Sequence, residues 1–126
     1  MDKKTLYEWA EDMPVGWYKA FGKQICDEIW DVLTKYNEQD EYTIIQVKEK
    51  FGELRWYDGN LGYPARDEVD DIIDKYEIIS AITCVGCGNP ATKLSTGWIL
   101  PHCDRCANRL PKIKFIDMPK DYLERK

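Results

Sequence analysis

An α+β fold, with two main helices packed on a β-hairpin and a small metal-held ribbon at the C-terminus, is predicted by three observations in this 126-residue chain. Apolar residues recur every three or four positions over residues 15–36 and again over 67–82, the period of a helix with one buried face. Between them, residues 42–48 and 53–58 alternate with period two, as half-buried strands do. Near the end stand Cys84-Val85-Gly86-Cys87 and Cys103-Asp104-Arg105-Cys106, with fifteen residues between the pairs. Two C-x-x-C turns at that spacing, carried on a hairpin, can close on one tetrahedral Zn²⁺. The expected architecture is therefore a body over residues 1–82, built of helices and a β-hairpin, with a four-cysteine zinc ribbon and tail over residues 83–126 docked on it.

The elements follow in order. Residues 3–11 read as a short helix that stops before Pro14. Over 15–36, Tyr18, Phe21, Ile25, Ile29, Val32 and Tyr36 line one helix face, widened by Cys26, Trp30 and Leu33. Gly22 costs a helix interior about 1 kcal/mol relative to Ala, so either close packing requires it or the helix starts after it. In the first strand Thr43, Ile45 and Val47 share a face; in the second, Leu54 and Trp56 do. Gly52 permits the turn between them. Gly, Asn and Pro make residues 58–64 a loop. The second helix buries Val69, Ile72, Ile73, Tyr76, Ile79 and Ile82, with Asp67 as its cap and acidic residues at its positive end. It runs almost directly into Cys84, so the ribbon is expected to pack on the body.

Within the ribbon, Lys93-Leu94-Ser95 and Gly97-Trp98-Ile99-Leu100 are the expected hairpin strands, and Gly88 suits the tight turn after Cys87. The ligands are Cys84, Cys87, Cys103 and Cys106. Four thiolates fill a tetrahedral zinc, whereas a catalytic zinc keeps one position for water, so a single structural ion is expected. His102 flanks Cys103 and is the alternative ligand there. Cys26, alone at a helical position, reads as a small buried hydrophobe.

Charge divides along the chain. Residues 1–82 hold 10 Lys and Arg against 19 Asp and Glu; residues 83–126 hold 8 against 4. The acidic run through Asp70 and Asp74 offers carboxylates at helical spacing. It reads as a solvated face, as a cation or acid–base site, or as a mimic of nucleic-acid phosphates. Trp98 and Arg105, with Lys93, Arg109, Lys112 and Lys114, are candidates for a nucleic-acid surface or for ordinary ribbon packing and solvation. Lys48, Lys50 and Arg55 beside Phe51 and Trp56 make a candidate basic-aromatic surface on the hairpin. The alternative is that this phrase only specifies the turn and its packing. The high share of Trp and Tyr either fills a small core or supplies interface anchors. No phosphate-binding Gly loop, Ser/His/Asp arrangement or second His is present, and an enzyme is not expected. The first residues lack the apolar stretch of a signal peptide, and no apolar run approaches a membrane span. A cytoplasmic protein with reduced cysteines is expected.

The run Gln46-Val47-Lys48-Glu49-Lys50-Phe51-Gly52-Glu53-Leu54-Arg55-Trp56-Tyr57 is followed by an amphipathic helix ending near Ser80, then by C-x-x-C-G, Gly97-Trp98 and the second C-x-x-C. Together, over residues 44–106, these resemble small zinc-ribbon proteins of unknown function encoded by phages, prophages and bacterial mobile elements. The resemblance implies a mobile-element context inside a bacterial host cell and carries no established activity. The function expected from it is binding of a host or phage protein, in its specific form inhibition of a host defence nuclease such as a CRISPR effector. The alternative is a regulatory nucleic-acid-binding ribbon. Partner-binding candidates are Trp98, Arg105, Lys50, Arg55, Asp70 and Asp74.

Overall fold

The computed structural model describes residues 1–124; the last two residues of the expected C-terminal part lie outside the described residues. The fold is α+β, with helices against two small antiparallel sheets. Asp2 opens α1 (Lys3–Ala10) by accepting a 2.8 Å bond from the Thr5 N–H, so one orphan amide of the first turn is satisfied. Leu6 and Ala10 are its buried residues. The chain turns before Pro14 and re-enters a helix at α2 (Val15–Trp17). It continues through a π-helical turn (Tyr18–Gly22) into α3 (Lys23–Lys35).

That π turn corrects the expected stripe at its start. The extra residue in the widened turn brings Trp17, Phe21 and Ile25 to one side, so Trp17 is fully buried and Tyr18 lies half-buried at the rim. Gly22 is required there because the Tyr18 ring lies 2.4 Å from where a Cβ would stand.

The hairpin pairs β1 (Thr43–Lys50) with β2 (Glu53–Gly59). Its alternation also needs a correction. The register slips between Ile44 and Gln46, so Ile45 is the extra residue of a β-bulge. Ile44 and Val47 are therefore buried, while Thr43 and Ile45 face solvent. Leu54 and Trp56 share a face as expected, and that face is the inner one, so Trp56 leaves the candidate outer surface. Its indole donates to the Tyr42 hydroxyl at 3.0 Å, and Tyr42 in turn donates to Asp58. Burial, the Asp58 charge and that bond push the Tyr42 phenol far up, so it stays a donor.

Helix α4 (Ala65–Ser80) packs across α3 and β2. Its N-cap position is Pro64 rather than Asp67, and no side chain caps it. Asp67 and Glu68 sit instead in the first turn, where the helix dipole favours negative charge. Three similar clips surround the core: Tyr7 with Asp27 and Lys3, Tyr36 with Glu68 and Lys35, and Tyr76 with Glu28 and Lys75. In each, one carboxylate takes both the phenol and the ammonium, tying neighbouring helices. Exposed ion pairs contribute little, about 0–1 kcal/mol each, so the clips orient the helices and apolar burial holds them. That burial runs continuously from Leu6 to Tyr76. A fully buried side chain such as Leu33 or Leu54 contributes about 1.5–3 kcal/mol.

The C-terminal sheet has the order β4-β3-β5, from β3 (Lys93–Ser95), β4 (Pro101–His102) and β5 (Phe115–Asp117). The expected second ribbon strand is thus displaced: residues 97–100 form the loop, and the strand begins at Pro101. Ser95 explains the displacement, because its N–H bonds Leu100 O at 3.0 Å and its hydroxyl binds Trp98 O and the Leu100 N–H, closing a tight loop between them. Short helices α5 (Asp104–Asn108) and α6 (Lys120–Glu124) flank β5.

Candidate metal centre

Cys84 lies four residues beyond the end of α4, and its backbone is folded tightly. Its N–H bonds Asn89 O at 2.8 Å, its carbonyl accepts from the Gly88 N–H at 3.0 Å, and the Val85 N–H bonds Pro101 O at 3.0 Å. Cys103 leaves β4 and caps α5, its Sγ accepting from the Cys106 N–H at 3.4 Å. These two turns face each other across β3 and β4. The four Sγ atoms of Cys84, Cys87, Cys103 and Cys106 lie within 4.8 Å of one another, with Cys87 and Cys103 at 3.6 Å. None forms a disulfide. A tetrahedral ion with metal–sulfur bonds of about 2.3 Å spaces its sulfurs by about 3.8 Å, so the cluster fits the expected geometry.

Electrostatics agree with a cation at the centre. Burial raises the Cys84 thiol, but backbone N–H groups of Cys103, Cys87 and Gly86 outweigh it and bring the group down to about 7. Burial and the neighbouring sulfurs push Cys106 up to about 12, and Cys87 is also raised. Four sulfurs this close cannot all ionise on their own; a dication bound by all four removes that conflict. The residues therefore could hold one metal ion.

His102 stays outside the cluster. Its Nδ1 lies 3.2 Å from Leu100 O, and its ring meets Phe115 edge-on at 5.1 Å. Cys26 is buried and its thiol donates to Leu6 O at 3.4 Å; burial pushes it up to about 12, as expected of an inert core thiol.

The first cysteine turn sits directly on the body. The Gly16 N–H bonds Val85 O at 2.8 Å, and the buried Trp17 indole donates to Thr83 O at 2.8 Å. A Cβ on Gly16 would stand 2.2 Å from Cys84 O, and one on Gly88 would stand 2.6 Å from Gly16 O. Two backbones approach here more closely than any side chain allows. A Gly-Trp pair at a helix start carries no signal of a distant partner, so the amino-acid order points to neither residue at this seam.

A second contact joins the hairpin tip to the ribbon loop. The Trp98 indole donates to Glu49 at 2.8 Å, and the Gly52 Cα faces Ile99 and Pro101. Trp98 nevertheless remains 67% exposed. Phe51, 66% exposed, has φ of 53° in the two-residue turn between Lys50 and Glu53. A bulky residue with positive φ is a genuine outlier, and turns of this kind favour Asn, Asp or Gly.

The other expected site residues do not converge. Lys50 is exposed at the hairpin end, and Arg55, half-buried on β2, bonds Leu54 O and lies near Glu77. Arg105 is exposed on α5. Asp70 is exposed but engaged by Arg66, whose guanidinium also holds Asp58 at 3.0 Å; Asp74 is exposed one turn further along. Asp70 thus belongs to the network that ties α4 to the hairpin. Among the described residues no helix is long and apolar enough to cross a membrane. Comparison with protein-family models, curated proteins and solved structures returns no match.

Proposed function

We propose that the chain is a non-enzymatic binding protein whose four cysteines hold one structural Zn²⁺. In this reading it is an accessory protein of a phage or prophage. It acts in the cytoplasm of a bacterial host by binding a host or phage protein, in its specific form inhibiting a host defence nuclease such as a CRISPR effector. One observation carries the metal part: the four Sγ atoms lie within 4.8 Å of one another on two opposed turns. Soft thiolates in a tetrahedral set suit zinc, and a fourth thiolate occupies the position that a catalytic zinc leaves to water. The binding part is supported by Trp98 and Phe51, large aromatics left exposed where the body meets the ribbon. Aromatic anchors of this kind dominate protein interfaces.

Elemental analysis of the purified chain is expected to give one zinc per molecule, lost when Cys84 or Cys103 becomes Ser. Affinity purification from bacterial cells at low salt, read by mass spectrometry, is expected to recover a defined protein; recovery of none would sink the binding reading. The second reading, a nucleic-acid-binding ribbon, is favoured by the exposure of both Trp98 and Arg105. It requires retention on DNA or RNA at about 50 mM salt, where phosphate contacts are strongest, and loss on Trp98→Ala or Arg105→Ala.

A further inference from the structure

The ribbon sheet is unfinished on one side. In the order β4-β3-β5, strand β5 is an edge. The Thr96 N–H bonds Lys114 O at 2.9 Å and the Met118 N–H bonds Thr92 O at 3.0 Å. In an antiparallel ladder the residues facing β3 are then Lys114, Ile116 and Met118, and the backbone groups of Phe115 and Asp117 turn outward. Beside this edge lies a groove of about 260 Å³ lined by Leu94, Ser95, Thr96, Gly97, Ile99 and Ile116. Leu94 and Ile116 pair directly, yet Leu94 is buried and Ile116 is 51% exposed. Ile99 continues the apolar surface to Gly52, next to the outlying Phe51. The strain of a positive φ at Phe51 is not offset by burial of its ring.

At the start of β5 the unpaired charge is positive. Asp117 is taken by Lys93. Lys112 and Lys114, both exposed, have no ion-pair partner among the described residues. We propose that β5 and its groove take an extended, acidic segment of another protein, which adds to β5 as a strand and seats an apolar side chain between Ile99 and Ile116. Backbone pairing supplies affinity in this mode, a side-chain pocket supplies selectivity, and the lysines steer an acidic partner. The aliphatic lining suits a Leu, Ile or Phe side chain better than a base. Glu49, which already takes the Trp98 indole N–H, opposes a phosphate backbone at that ring. The proposal rests on the reading of the chain as a protein-binding module and names the surface and the partner's chemistry.

The test is a displayed library of random short peptides selected on the full chain with its metal. Recovered peptides are expected to be acidic and to carry a large apolar residue. Ile116→Ser is expected to weaken them about thirty-fold. Lys112→Glu with Lys114→Glu, which removes no buried contact, is expected to weaken them about tenfold and to flatten their salt dependence. Both variants keep the metal content and circular dichroism of the parent. The proposal is overturned if nothing is selected, if the selected peptides are neutral or basic, or if binding ignores both variants. It is equally overturned if single-stranded oligothymidylate binds here and is lost in the same variants, or if Ile116→Ser abolishes a dimer of the chain itself. A cellular partner still captured by Ile116→Ser would leave the binding reading standing and remove only this surface. Absence of any captured partner strikes the reading itself.

Discussion

The body and the ribbon solve the same stability problem by different means. Residues 6–76 share a continuous apolar core in which Trp17, Ile25, Ile29, Leu33 and Leu54 are wholly enclosed. The ribbon's buried apolar residues are Ala91, Leu94, Pro101 and Ala107, beside Thr83, Ser95, His102 and two of its cysteines, and its strands are two or three residues long. Such a sheet cannot hold itself by burial, since even a full hairpin is marginal in water. In the proposed reading, four thiolates around one ion replace the missing core. The metal's free energy would then be folding free energy for one part of the chain only, and the seam at Gly16 and Gly88 decides how far it spreads.

Stripping the metal, or replacing Cys103 by Ser, is the strongest way to test that division. Structural zinc contributes on the order of 10 kcal/mol at neutral pH, so the ribbon is expected to unfold. Hydrogen exchange should then show protection lost over residues 83–118 and kept in α3 and α4. Collapse of both together would erase the distinction. From the other side, Trp17→Ala is expected to cost about 3–5 kcal/mol in urea denaturation, since it empties a buried ring site and removes the bond to Thr83. Gly16→Ala probes the seam itself. Its Cβ would collide with Cys84 O, at a cost of about 1–3 kcal/mol, and metal affinity is expected to fall with no ligand changed. Unaltered affinity in a competition with a chromophoric chelator would show that the two parts are independent.

Two smaller effects sharpen the picture within the body. Phe51→Asn is expected to stabilise the fold by about 1 kcal/mol, because Asn accepts positive φ where Phe is strained, while weakening partner binding. A destabilised variant in thermal melts would mean that the ring packs after all. Glu77 is raised by burial despite nearby Arg55. With the folded value above the unfolded one, its contribution is fully present below the unfolded pKa and is lost as pH rises through the folded one. Glu77→Gln is therefore expected to be relatively more stable at neutral pH than at about pH 4. A gap that does not change with pH would contradict that sign.

Much of this is legible in the amino-acid order alone. The alternation at Leu54 and Trp56, the stripe Val69, Ile73 and Tyr76, and the turn at Gly52 all lie where local period and turn chemistry put them. The pairing of the two C-x-x-C turns is equally local in origin, because each turn presents its sulfurs through a few residues of backbone. Phe51 stands in the turn phrase, yet its positive φ and its exposure together are visible only in the folded hairpin.

The departures share one cause. Tyr18 is expected inside, yet Trp17 takes that place because it reaches Thr83, sixty-six positions away. Ile45 is expected to share a face with Val47, but a bulge turns it out so that Ile44 and Val47 both reach the core. The second ribbon strand moves to Pro101 because Ser95 closes the loop before it. Period, turn residues and metal spacing are properties of a short stretch of chain, and the amino-acid order carries them directly. Phase shifts within an element, the close approach of Gly16 to Gly88 and the open edge of β5 depend on which distant backbone arrives, and only the packed chain settles that.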